Sequence, residues 1–312
     1  MATLGSGSFY IPAAEAAPLL SRSRRDSFVL QNARQIPITA SGAVVPVFVD
    51  NIDGAWVNEA TSKPIQDVTA TTKQMTVHKW AVIVPVSEES VTDQNSVQLL
   101  TEIATNAQAG FGRAVDKLAI TGSGVAGQTF INQTHKSVIL GTSTTAQGGL
   151  WRDLNEGLRQ LSSDTTVGFT PRQWSGSVFD AVVEPDFNEA VDVNGRPLFT
   201  DTMVGEANSV QRYGRMLGRP SALLTQIQQN VSTVPAHRTV GWAGNWDRVY
   251  YGLVGQIRVD YDNRASYVSG GVTRSAFQDS LVLVRVEARI GVLVADPEDF
   301  VAFYAAGSTP LS

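Results

Sequence analysis

The 312-residue chain contains no cysteine. That one absence excludes disulfide staples, thiolate metal sites and cysteine nucleophiles. Charge is also sparse: charged residues make up 17% of the chain, and Gly, Ser, Thr, Gln and Asn fill the polar positions instead. Such a surface suits extended contact with other proteins. The charge that is present is acidic, 24 basic against 29 acidic residues, for a formal net charge of -5. This argues against nucleic-acid binding, because neutralising phosphates takes clustered Lys and Arg. The one basic cluster, Arg22, Arg24 and Arg25, reads first as a solvated or subunit-contacting arm and only second as a nucleic-acid contact. No apolar run approaches the ~20 residues of a membrane span, and the N-terminus lacks the basic-then-apolar order of a secretory signal. The expectation is a soluble protein made in the cytoplasm, with no membrane partner.

Residues 1–45 scatter apolar anchors (Phe9, Tyr10, Ile11; Leu19, Leu20; Phe28, Val29, Leu30) without a sustained period, which predicts an extended arm lying on something else, such as another subunit. The stretches 43–57, "AVVPVFVDNIDGAWV", and 75–87, "MTVHKWAVIVPVS", read as strands, with Pro46 and Pro85 marking edges or bulges. Between them, the polar, Thr-rich residues around Lys63 and Pro64 have little to bury, so a hairpin built this way is marginal alone. Apolar residues at three- and four-residue spacing from Val97 to Leu118 predict a long amphipathic helix. Asn95 or Ser96 can cap its start, Gly110 and Gly112 suggest close packing or a bend, and "TGSGVAG" stops it. A second helix is expected over 148–161 and a third near Phe179–Val183, ending before Pro185. "DVNGRPL" at 192–198 is a turn, and 199–236 reads as loop-rich. From 239 the chain turns strand-like, and Val282, Val284, Val286, Ala288 and Ile290 alternate against Arg285, Glu287 and Arg289.

Signals for chemistry are weak. "GSGVAG" at 122–127 matches a dinucleotide fingerprint in letters, but a helix enters it where a strand is needed, so the glycines read as a helix stop. His78, His135 and His237 have no metal-ligand spacing, no G-x-S-x-G elbow exists, and "DYDN" at 260–263 reads as a solvated turn. No catalytic, cofactor-binding or metal-ligating residue is assigned. Arg285, Glu287 and Arg289 support two readings equally: cross-strand ion pairs on a half-solvated sheet, or pairs across a subunit boundary.

The order of arm, polar hairpin, long glycine-closed helix, mixed middle and C-terminal return to strand resembles the major capsid proteins of tailed bacteriophages, the Hong Kong 97-type fold. "VNEATSKPIQD" with "VHKWAVIVPVSEESVTD" resembles that family's extended loop and return strand. "AVDKLAITGSG", with Asp116, resembles the end of its spine helix. "DVNGRPLF", "MLGRPSAL" and "RVEARIGVLVADPEDFVAF" resemble its central and C-terminal segments. The resemblance covers residues 8–306.

The resemblance implies an α+β Hong Kong 97-like capsid fold. Its parts are an N-terminal arm (1–45), an extended β-hairpin E-loop over a neighbouring subunit (46–86), a spine helix with the first part of the peripheral domain (87–124), an axial domain (125–250) and C-terminal peripheral strands (251–312). It implies a virion protein that forms pentamers and hexamers, assembled with a separate scaffolding protein and a portal, around double-stranded DNA held without sequence-specific binding. The separate scaffold is expected because almost nothing precedes the arm. Candidate interface residues are Arg22, Arg24, Arg25, Trp56, Glu59, Lys63, Arg285, Glu287 and Arg289. In some relatives a loop Lys joins a strand Asn with help from a Glu. Lys63 and Glu287 match, but Ser280 stands at the amide position, which argues against that bond here. An encapsulin-type nanocompartment shell and a soluble hydrolase are the alternatives.

Overall fold

The computed structural model describes residues 27–48, 55–59, 61–63, 65, 70–92, 96–122, 125, 127–164, 172–191, 194–196, 212–225, 227–233, 236–255 and 257–308. In chain order these form α1 (Phe28–Asn32), β1 (Arg34–Gln35), β2 (Ala43–Phe48), β3 (Ala70–Met75), β4 (Val77–Ser87), α2 (Glu88–Thr92), α3 (Ser96–Thr121), β5 (Ser137–Ile139), α4 (Gly149–Ser163) and β6 (Gly176–Asp180). There follow α5 (Glu184–Glu189), β7 (Arg212–Met216), β8 (Arg219–Leu224), β9 (Gln229–Thr233), β10 (Ala236–Gly244), β11 (Val249–Leu253), β12 (Arg258–Asp262), β13 (Ser266–Ser269), β14 (Val272–Ser275), β15 (Leu281–Val294) and β16 (Phe300–Tyr304). The class is α+β.

A five-stranded sheet is built on β15, which pairs antiparallel with β4, β11 and β12, while β1 adds parallel to β11. Alternation decides its faces. Trp80, Val82, Val84 and Val86 of β4 and Val284, Val286, Ala288 and Ile290 of β15 turn inward and join one core with α3, whose Phe111, Val115, Leu118, Ala119 and Ile120 are buried. At 26 residues α3 is about 39 Å long. It begins at Ser96, which is therefore helical, while Asn95 lies outside the described residues. Gly122, at φ +65°, ends it, and the ring of Phe130 lies where a side chain at 122 would go. Gly110 faces Trp80 at ordinary van der Waals distance, so no clash requires a glycine there.

The second sheet runs β5-β16-β10-β6-β8-β7, with β9 also pairing with β10. Its core holds Leu154 and Leu161 of α4 against Phe179, Val301 and Phe303. Three of its strands, β7, β8 and β9, come from the loop-rich 199–236 stretch. Residues 176–180 are a strand of this sheet as well, so the helix expected at 179–183 is displaced. After β6 comes a single 3-10 turn, 181–183, and then α5 carries Pro185 in its first turn, where the missing N–H costs nothing. A five-residue, fully buried run inside a sheet has no alternation to distinguish it from a helix.

Segment 251–312 divides between the two sheets, because the chain crosses from β15 to β16 through residues 295–299. That crossover is held by charge. Arg172 meets Asp164 at 2.7 Å, Asp296 at 2.9 Å and Asp299 at 2.6 Å, and Arg248 reaches Asp299 at 2.9 Å.

The arm expectation needs correction at its inner end. Phe28, Val29 and Leu30 are buried in this chain's own core, with the Phe28 ring 4.8 Å from that of Trp246. Apolar anchors three in a row bury as a helical turn once Ser27 caps it. The hairpin also differs from expectation. β2 pairs with β3 rather than with 77–87, and β4 leaves to become the free edge of the five-stranded sheet, which places Pro85 on an edge as expected. Val45, Met75 and Leu293 pack together and fasten the hairpin's base.

Gly244 in β10 has the backbone carbonyl of Asp299 where its Cβ would be. Gly244→Ala should therefore destabilise the chain by about 1–3 kcal/mol or more, read from urea unfolding. A neutral outcome would mean that the β10–β16 approach is looser than described.

Candidate functional site

The outward face of the five-stranded sheet gathers the charge that its inward face excludes. Register places Asp260 opposite Arg285, Arg285 opposite Ile83, Glu287 between Arg258 and Ala81, and Arg289 opposite Lys79. On that lattice Lys79 pairs with Glu287 at 2.6 Å, Arg285 with Asp260 at 2.7 Å and with Glu287 at 3.4 Å, and Arg258 with Asp260 at 3.0 Å. The expected cross-strand pairing is therefore present within one chain for Arg285 and Glu287. Arg289 is exposed and has no ion-pair partner among the described residues. Beside this charged row, β4 shows solvent Ala81, Ile83 and Pro85.

These pairs fix directions more than they stabilise. Burial acts to raise Asp260, but hydrogen bonds from Arg285 and Arg258 outweigh it and leave the carboxyl below its ordinary range. The Lys79 hydrogen bond, helped by Arg285, likewise lowers Glu287 against the opposing effect of burial. Exposed pairs contribute only roughly 0.2–1 kcal/mol each. Their effect is a pre-set pattern of donors and acceptors, ending at Arg289 in an unspent guanidinium.

The other candidates lie on the segment between β2 and β3. Trp56 is fully exposed at 105% and Ile65 is 95% exposed, with Val57, Glu59 and Lys63 also open. An indole standing free in water is costly to leave uncovered. Within the chain the charged row and this segment are separate groups. Arg22, Arg24 and Arg25 lie outside the described residues. Lys79, Arg258, Asp260 and Ile83 are additions that sequence reasoning missed. Their signal was available in the alternation of 77–87, but the pairing with β15 and β12 was not.

"DYDN" also departs from expectation: Asp260, Tyr261 and Asp262 belong to β12, and Asp260 is committed to two arginines. The His78 ring bonds Thr76 at 2.9 Å and His135 pairs with Glu298 at 2.7 Å. Among the described residues no group of three or more His, Asp and Glu is placed to hold a metal, and no helix is long and apolar enough to cross a membrane.

The family model described as the phage capsid family matches residues 7–304. This chain belongs to the phage capsid family. A capsid relative, the "Probable major capsid protein gp17" of Mycobacterium phage D29, is 30% identical over 297 residues, covering 94% of this chain and 89% of its own. Among solved structures, a chain of Gordonia phage Cozz superposes with a TM-score of 0.64 at 20% identity, covering 90% of this capsid protein and 86% of that chain. A chain titled "Capsid of empty GTA particle computed with C5 symmetry" does so with a TM-score of 0.60 at 15% identity, covering 98% and 95%. The fold is that of phage capsid subunits. The function is that of a phage major capsid protein, a building block of the virion's head shell.

Because its partners Lys79 and Arg285 are about half exposed, Glu287→Gln should lower the stability of isolated capsid subunits by no more than roughly 1 kcal/mol in urea unfolding. A loss of several kcal/mol would give the row a structural role instead.

Proposed function

We propose that this major capsid protein closes its shell in the Hong Kong 97 manner, each subunit finishing its outer surface with a loop from its neighbour. The observation that carries this reading is Trp56, fully exposed on a segment whose base is fastened by Val45, Met75 and Leu293 and whose described outer residues, 55–59, 61–63 and 65, are all exposed. Residues 46–86 then act as the extended loop, α3 as the spine helix and the two sheets as the bodies of the peripheral and axial parts. The loop's destination is the outward face of β4, β15 and β12 on the adjacent copy. There Trp56, Val57 and Ile65 meet the apolar row Ala81, Ile83 and Pro85, Glu59 meets Arg289, and Lys63 meets the acidic pair Glu287 and Asp260.

The energetics favour such a docking. Covering an indole of roughly 200 Å² at about 25 cal/mol per Å² contributes on the order of 5 kcal/mol before the cost of ordering the loop. The ion pairs add register more than affinity, since a mismatched copy sets like charges together. Repeated around pentamers and hexamers, the same contact produces a closed shell. The net charge of -5 suits a wall that encloses double-stranded DNA without gripping it. Arg22, Arg24 and Arg25 are taken as subunit contacts of the arm, and a separate scaffolding protein and a portal as assembly partners. The subunit is made in the host cytoplasm and acts as structure, not as a catalyst. With serine at 280, the loop contact is non-covalent.

Trp56→Ala should leave the subunit's thermal unfolding unchanged while shells give way to free capsomers in sedimentation and electron microscopy. Arg289→Glu should impair assembly too, and Glu59→Arg in the same chain should restore part of it, a double-mutant coupling of about 0.5–3 kcal/mol. Normal shells from both single variants would overturn the docking.

A further inference from the structure

β4 stops pairing with β15 at Val77, opposite Gly291, and Thr76 belongs to no strand. Before that break β3 takes its ladder partner from β2. Carried past the break, the β4–β15 register would still set Met75 opposite Leu293 and Lys73 opposite Ala295. Those are the residues they meet: Met75 packs with Leu293, and Lys73 Nζ donates to Ala295 O. The hairpin therefore keeps its place along β15, but side chains hold it there instead of a ladder.

Those side chains act at two separate points. Alternation puts Val45 and Lys73 on the same face of the hairpin as Ala43 and Met75, while Val44, Pro46, Thr72 and Gln74 of the other face stand in water. Met75 is completely buried, and its Cγ and Sδ lie 2.9 Å from where a Cβ on Gly291 would be. β2 arrives over the same point, since Gly42, at φ +93°, has the carbonyl of Met75 where its side chain would go. Apolar contact is non-directional, so the Met75 seat fixes a position and leaves the angle about it open. Lys73 supplies a second point two residues, or about 7 Å, further along β3. Two points define a direction, and the second is a directional, charge-assisted hydrogen bond.

Ala295 is itself fixed. Its N–H donates to Arg248 O at 3.0 Å, and the next residue, Asp296, pairs with Arg172 at 2.9 Å. Burial acts to raise Asp296, but hydrogen bonds from Glu298 N and Arg172, with the positive charges of Arg172 and Lys73, leave its carboxyl below the ordinary range. The carbonyl that receives Lys73 thus belongs to the crossover between the two sheets, next to a carboxylate whose charge favours the ammonium. Ala295 is 1% exposed, so removing the ammonium strips a buried carbonyl of a donor unless the hairpin tilts and admits water.

We propose that Lys73 is a positioning residue: its bond to Ala295 O sets the angle at which the β2–β3 hairpin, and the loop it carries, leave the subunit, with Met75 as the pivot. What that angle does in a shell rests on the loop docking proposed above. The angle itself is a feature of one subunit.

Spin labels on isolated full-length subunits test it. With no native thiol in the chain, Thr72→Cys on the water-facing side of the hairpin and Arg152→Cys on α4, both exposed positions, carry a pair of labels whose separation is read by electron–electron double resonance. The chain with Lys73 in place should give one narrow distance. Lys73→Met keeps the apolar stem and removes the donor, so the distance should shift and its spread widen while the thermal unfolding midpoint holds. Lys73→Arg, which restores a cationic donor, should bring the original distance back, a rescue that a role in packing alone does not produce. A broad distribution with Lys73 present, an unshifted distance in Lys73→Met, or a shift that Lys73→Arg does not reverse would each overturn the proposal. Both labels ride on one subunit, so this result stands whether or not the loop reaches a neighbour, and the Arg289→Glu and Glu59→Arg pair reads the docking separately.

Discussion

The antiparallel pairing of β4 with β15 is the constraint on which the rest depends. Eleven residue pairs, from Leu281 opposite Ser87 to Gly291 opposite Val77, join the return from the loop to the longest strand of the chain. One side of that ribbon, with Trp80 and Val284 to Ile290, makes the floor on which α3 lies. The other side sets out Lys79, Ile83, Arg285, Glu287 and Arg289 at fixed spacing. A slip of one residue would exchange the two sides, burying the charges and exposing the valines. Core and charged outer face are thus specified by the same register.

Such a register gives the subunit a packed interior behind a charged outer face. Its two cores are filled, the crossover between the sheets is neutralised by Arg172 and Arg248, and α1 plugs the gap beside Trp246. The large hydrophobic side chains left in water include Trp56 and Ile65 between β2 and β3, Ile83 on β4, Val268 and Val272 on the β13–β14 hairpin, and Phe277. In the proposed docking, stability resides in the subunit and affinity in the loop.

Much of this was legible in the residues. The period of Val97 to Leu118 gave α3, and the alternation of Val282 to Ile290 against Arg285 to Arg289 gave the two faces of β15. Both are long patterns in which burial is one-sided. The reading failed where burial is two-sided or local signals compete. The helix expected near 179–183 overlaps the end of a strand, 176–180, that is buried throughout, β7 to β9 are short strands amid turn residues, and Phe28 to Leu30 carry no period that distinguishes a core plug from an arm. Pairing partners were beyond reach as well: nothing in residues 43–48 says that they meet 70–75 instead of 77–87. For the same reason the charged row could be half named, with Lys79, Arg258 and Asp260 missing.

The central claim is that the exposed loop of one subunit is completed by the outward sheet face of the next. Because the chain has no native thiol, Glu59→Cys and Arg289→Cys can be introduced together and bridged in intact shells with a short bifunctional thiol reagent. A ladder of covalently joined chains on a denaturing gel is the predicted result. Single chains only, or bridges closed within one chain, would contradict the account.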